Sequence, residues 1–228
     1  MANSIRASFG PGIRAIREQI RPFLLIQVSI LCLAAGYYLS PGFASIAESL
    51  GHLKAQGGLV ASFFATMFAG MALPEIFKVI SRSPNRLDAP SLIFVGLVFG
   101  FDGIMADLFY RLQGIMFGSQ LSFSTVAVKV VVDQLVAAPL VFSPYFVLTA
   151  AFRDARFSLA GIRESLKRVS LVQRILPILV VNWLFWIPAL CGVYAMPPNL
   201  QFVLFLFVVA AWSLIVTHVT SSLDRAQA

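Results

Sequence analysis

The chain has 228 residues, of which 59% are hydrophobic and 12% charged, with a formal net charge of +7. A soluble domain carries roughly 25% charged residues, so too little polar surface is present here to cover a water-soluble globule. A mean hydropathy of +0.86 instead indicates a polytopic membrane protein, and the excess of base is spread over many connections rather than gathered on one nucleic-acid-binding face.

The first 21 residues hold Arg6, Arg14, Arg17 and Arg21 against the single acid Glu18. They read as a basic flank of the first membrane helix, with an amphipathic presequence as the other reading. Apolar stretches then follow over 22–39, 57–80, 90–117, 123–150, 171–194 and 200–219, each near the roughly 20 residues a spanning helix needs. Ser40-Pro41-Gly42, Ser83-Pro84-Asn85, Gly118-Ser119-Gln120 and Pro197-Pro198-Asn199 break the runs. The expected fold is all-α: a single transmembrane helical bundle over 1–228 with about six hydrophobic helices. Four spans result if the first and fifth stretches do not cross.

Lysine and arginine set the expected orientation. Lys78, Arg82 and Arg86 fall in the second connection, and Arg153, Arg156, Arg163, Lys167, Arg168 and Arg174 in the fourth. Arg225 lies in the tail. With the N-terminal arginines these make 14 basic residues on one side, against Lys54 and Arg111 on the other. The positive-inside rule therefore predicts both termini on the cytoplasmic-equivalent side.

Within the stretches, Gly57, Ala61, Ala65 and Ala69 form a small-residue stripe, and Gly96 and Gly100 a GxxxG, both suited to close helix approach. Pro74, Pro139, Pro144, Pro177 and Pro188 each remove a backbone donor and predict kinks. Cys32 and Cys191 lie in apolar runs and read as small core residues.

Ionisable residues at membrane depth are the informative ones, because they must face protein or water. Glu75 has Lys78 one turn away. Asp102, Asp107, Arg111, Lys129 and Asp133 belong to the hairpin of the third and fourth stretches, which folds back near Gln120. That geometry puts Asp107 level with Asp133 and Arg111 level with Lys129, and makes Asp107–Arg111 and Lys129–Asp133 i,i+4 neighbours. Two readings stand side by side: a charge-paired clasp fixing the hairpin register, or the polar lining of a solute path. Asp102 favours the second, since its mirror position is Ala138 and no base faces it.

No catalytic constellation is present. His52 and His218 lie at opposite ends of the expected topology, and no phosphate loop, nucleophile elbow or HExxH occurs. No enzyme activity, metal or cofactor is expected. Trp183, Trp186 and Trp212 read as packing or interfacial anchors.

The stretch from Gly100 to Thr217 resembles the Mpv-seventeen family, also called the family of the peroxisomal membrane protein of twenty-two kilodaltons. Asp133-Gln134-Leu135-Val136-Ala137-Ala138-Pro139 keeps that family's D-Q-x4-P intact. Gly103 through Tyr110 is similar to its G-P-x2-H-x-W-Y, with Asp107 in place of the histidine. Trp186-Ile187-Pro188 and Met196-Pro197 stand near its Trp-Pro and Val-Pro, and Trp212 follows Pro197 at the family's spacing. Gln201 replaces an arginine and Ser213 an asparagine. Residues 22–39 look like an added helix before a family-like bundle over 57–219. The resemblance implies a small protein of an organelle membrane or, in a bacterium, of the inner membrane. It also implies a pore or channel-like role for small solutes. The alternative is a structural or assembly subunit docking on a larger membrane complex through the small-residue stripe. The expected partners are the lipid bilayer, small solutes, and a second copy or larger complex, with no nucleic acid.

Overall fold

The computed structural model describes residues 24, 26–80, 82 and 86–227, with side chains except at 177 and from 214 onward. The basic segment 1–21, the Ser83-Pro84-Asn85 break, and the His218 and Arg225 side chains lie outside that description. Among the described residues every regular element is helical: α1 (Ile26–Leu39), α2 (Pro41–Met67), α3 (Leu73–Ile80), α4 (Ala89–Phe117), α5 (Phe123–Val132), α6 (Ser143–Asp154), α7 (Leu159–Arg168), α8 (Leu171–Tyr194) and α9 (Pro198–Gln227). π-helical segments over Phe68–Ala72 and Asp133–Phe142 join α2 to α3 and α5 to α6.

The helix starts follow local chemistry. Ser40, Asp88, Ser122, Ser158 and Ser170 each accept a hydrogen bond from the amide three residues on, and Ser170 forms a full capping box with Gln173. Pro41 and Pro90 occupy first-turn positions where a missing N–H is harmless.

The π segments accompany the prolines. Pro74 follows the first by two residues, and Pro139 lies inside the second, with Pro144 just beyond it. Proline cannot supply its amide to the ladder, and a wider turn accommodates the gap.

Two expected connections are helical instead. Residues 41–57 open α2, because Ser40 caps them and Pro41 starts the turn. The break comes at Gly58, whose φ of 53° and ψ of −139° lie outside the helical region and favour glycine. The fourth connection contains α7, started by Ser158.

Three helical units are long and apolar enough to cross a membrane: Pro41–Ile80, Ala89–Phe117 and Phe123–Asp154. Ile26–Leu39, Ile178–Tyr194 and Pro198–Ser213 are shorter apolar helices. The core is built by α8 and α9 with α1 and α4. Phe185, Ala189, Val193 and Val208 are fully buried there against Ile30. Ile80, Ile115, Phe123 and Leu140 are exposed, whereas Ser62, Thr66, Asp107, Gln113, Lys129 and Gln134 are buried. Apolar outside and polar inside is the arrangement a hydrocarbon solvent favours.

One end of the bundle gathers the turns at 118–122 and 195–197 with the first half of α2. There Tyr37 Oη donates to Glu48 Oε1 at 3.1 Å, and Gly51 lies against Asn199 and Leu200. The other end carries 86–88 and α7, where Phe94 meets Phe152 and Phe157. Glu75 and Lys78 pair at 2.6 Å near that end.

Two expectations are corrected. Cys32 and Cys191 are free thiols on exposed helix surface rather than core residues. In the small-residue stripe only Ala69 is buried, Gly57 is exposed, and the face packed on α4 is Ser62, Thr66 and Gly70. The stripe is defined by size at four-residue spacing, and helix rotation decides which face turns inward.

Candidate functional site

Close approach of α4 to α2 creates the site. Gly96, Gly100 and Gly103 lie along one face of α4, and a Cβ at each would collide with α2 or the π segment after it: Met71, Phe63, and Thr66 with the Ser62 carbonyl, respectively. One turn past Gly103 on that face is Asp107. Its Oδ1 accepts from Lys54 Nζ at 2.6 Å and from Arg111 Nε at 3.2 Å. Its Oδ2 accepts from Ser62 Oγ at 2.8 Å and Arg111 Nη2 at 3.1 Å. The expected Asp107–Arg111 pair is therefore present, but the deeper partners come from α2. Lys54 also sits 4.7 Å over the Phe202 ring of α9.

The expected Lys129–Asp133 pair does not form. Asp133 Oδ2 accepts from Tyr194 Oη at 2.6 Å and Oδ1 from Gln134 Nε2 at 2.9 Å. The two residues stand one regular helical turn apart, with the Asp133 amide bonded to the Lys129 carbonyl, but the Asp133 carboxylate is taken by Tyr194 and Gln134 instead. Nor does an ion pair join α4 to α5 among the described residues. The register clasp is replaced by a hydrogen-bonded network around Asp133.

That network crosses three helices. Tyr194 Oη accepts from Gln113 Nε2 at 2.8 Å, and Gln134 Oε1 accepts from Asn182 Nδ2 at 2.9 Å. Trp183 Nε1 donates to the Gln134 carbonyl at 2.8 Å. In the π register that carbonyl would be served by the amide of residue 139, which Pro139 lacks. The D-Q-x4-P residues thus have linked physical roles: Pro139 frees the carbonyl, the Trp183 indole satisfies it, and the Asp133 and Gln134 side chains anchor α8.

Lys129 is 2% exposed, and among the described residues its ammonium has no ion pair or hydrogen bond. It lies 5.8 Å from the Tyr194 ring centroid. It lines a cavity of about 400 Å³ together with Lys54, Asp107, Tyr110, Arg111, Asn199, Gln201 and Phe202. The depth argument holds to this extent: Arg111 and Lys129, from opposite arms of the hairpin, reach one cavity. Around it three cationic side chains face one carboxylate.

The remaining sequence-predicted residues have other places. Asp102 is buried at 5% exposure with no ion pair among the described residues, and it is absent from the cavity lining. Gly103 is the closest-approach position, and Tyr110 packs edge-on to Tyr194 and Phe205 at 5.4 and 5.6 Å. Trp186 and Trp212 join Phe185 and Phe205 in an aromatic cluster. The Pro197 carbonyl accepts the Leu200 amide at 2.8 Å at the start of α9, and Gln201 Nε2 donates to the Met196 carbonyl at 3.0 Å. Sequence reasoning missed Ser62, Gln113, Asn182 and Tyr194. Polar residues inside apolar runs were the available signal for them. No cluster of metal-ligating residues occurs among the described residues.

Compared with protein-family models, characterised proteins and solved structures, the chain matches none.

Proposed function

We propose that this chain is an integral membrane protein with six spans and both termini on the basic-rich side, and that it acts as a small-solute pore of the Mpv-seventeen-like class. The observation that carries the pore reading is the 400 Å³ cavity. Its volume falls within the roughly 300–1,000 Å³ typical of small-molecule sites, and its lining carries the charged side chains of Lys54, Asp107, Arg111 and Lys129. Supporting the class are the intact D-Q-x4-P and its linked roles at Asp133, Gln134 and Pro139. Supporting the orientation is the grouping of Lys54 and Arg111 at one end, opposite α7 with Arg163, Lys167 and Arg168. A bacterial inner membrane, or a mitochondrial inner or peroxisomal membrane, suits this protein.

Purified protein in sealed liposomes tests the reading. Small solutes should leak faster than from protein-free vesicles, and Arg111→Gln, which alters the cavity lining, should change the rate. Protein that is inserted and folded but passes no solute refutes the pore. Cysteines at Arg86 and Arg163 should label from one side and those at Ser119 and Asn199 from the other. Labelling of all four from one side refutes the crossing pattern.

A second reading is a subunit that docks on a larger membrane complex. The observation favouring it is that Gly57, Ala61 and Ala65 are not buried within the bundle. Flux that appears only with a co-purified partner would select it.

A further inference from the structure

We propose that the cavity between α2, α4, α5 and α9 is a binding site for an oxyanion, a phosphate or carboxylate group, with the Lys129 ammonium as its central ligand. The inference rests on the pore reading for the route by which a solute passes, but binding itself requires only the cavity.

The charge balance motivates it. Asp107 is the one carboxylate in the lining, and Lys54, Ser62 and Arg111 already engage both its oxygens. Lys129 lines the same cavity from α5, 2% exposed, with no anionic partner among the described residues. Asp133 is the acid nearest to it in sequence, but that carboxylate is held by Tyr194 and Gln134. The ammonium lies 5.8 Å from the centroid of the Tyr194 ring.

An isolated buried ammonium is a large desolvation penalty unless an anion or polar ligand meets it. An oxyanion between Lys129 and the Lys54–Arg111 pair would supply that contact, forming charge-assisted hydrogen bonds to donors on three helices. Asn199, at the start of α9, adds an uncharged polar group to the lining. Arg111, whose side chain is 53% exposed, suits a rim position where it meets an entering anion before Lys129 does. A cation has the opposite problem, facing three like charges and a carboxylate already saturated with donors.

The oxyanion could be a soluble ion or the headgroup of an anionic lipid. Thermal unfolding of the full chain in a neutral detergent separates the possibilities, with sodium phosphate compared to sodium chloride at equal ionic strength. Phosphate should raise the midpoint for wild type, with Lys129→Met weakening its apparent affinity by about tenfold or more. Arg111→Gln should weaken it less. In chloride, Lys129→Met should be at least as stable as wild type, since it removes an uncompensated buried charge. That result keeps the comparison free of a folding defect. Bilayer discs of phosphatidylcholine with and without phosphatidylglycerol supply the second arm. Stabilisation by phosphatidylglycerol that phosphate cannot add to identifies a headgroup, and additive stabilisation identifies a soluble ion. Equal response of wild type and Lys129→Met to phosphate and to phosphatidylglycerol overturns the proposal. Binding without solute flux keeps the site and refutes the pore, so the two readings fail separately.

Discussion

Lys54 Nζ and Asp107 Oδ1 lie 2.6 Å apart, although 53 residues separate them in the chain. The contact ties the first half of α2, before its break at Gly58, to the last turns of α4. It places the cationic cavity directly beside the seam where α4 glycines meet α2. Because Asp107 keeps Arg111 and Ser62 when Lys54 is lost, Lys54→Ala should destabilise by about 1–2 kcal/mol. Asp107→Ala leaves two cations facing each other without a counter-charge and should lose about 2–4 kcal/mol. The double variant should lose less than the sum of the two. A thermal or denaturant cycle in detergent checks this, and strict additivity would mean that the pair does not interact.

The Trp183–Gln134 hydrogen bond gives a second cycle. Trp183→Phe leaves the Gln134 carbonyl unserved in a buried setting, a loss of about 1–3 kcal/mol. Pro139→Ala restores an amide to the segment and relieves the need for the indole. Trp183→Phe should therefore be less damaging in the Pro139→Ala background than alone. Equal losses in both backgrounds would separate the proline from the tryptophan.

Gly103 and Gly114 make a matched pair on one helix. A Cβ at Gly103 meets the Ser62 carbonyl and Thr66, so Gly103→Ala must push α4 away from α2 and should lose about 1–3 kcal/mol. At Gly114 nothing lies within 4 Å, and alanine there should gain about 0.5–1 kcal/mol from helix propensity. Comparing the two melting midpoints tests the close approach. Similar effects at both positions would contradict it.

Asp88 supplies a pH dependence outside the membrane helices. Hydrogen bonds from Ser91 hold its carboxyl below the usual range, the backbone bond being 3.1 Å. A carboxyl depressed by folding stabilises above its unfolded pKa, near 4, and the contribution is lost as pH falls through the lower folded value. Asp88→Ala should thus be less stable than wild type at neutral pH, with the gap closing only below about pH 4. A gap that closes between pH 5 and 7 would show that another group is responsible.

Much of this protein is decided locally. Low charge, long apolar runs and breaks at Ser40-Pro41-Gly42 or Gly118-Ser119-Gln120 specify helices, because transfer free energy and backbone satisfaction depend on segment composition. Asp107–Arg111 and Glu75–Lys78 were legible for the same reason, as neighbours within a turn or so of one helix. Lys54 was legible only as a base of a sparse connection. Its contact with Asp107 arises when Gly58 redirects α2 and glycines draw α4 against it. The failed Lys129–Asp133 pair carries the same lesson from the other side. Spacing alone put the two side chains one turn apart, but the carboxylate is taken by Tyr194, a partner 61 residues away on another helix. Which polar groups meet inside the bundle depends on helix rotation, and rotation is set by packing of whole faces that no single segment contains. The sequence by itself therefore determined the solvent, the helices and the sidedness of charge to be expected. The cavity, its unpaired ammonium and the network around Asp133 were decided only when the faces packed.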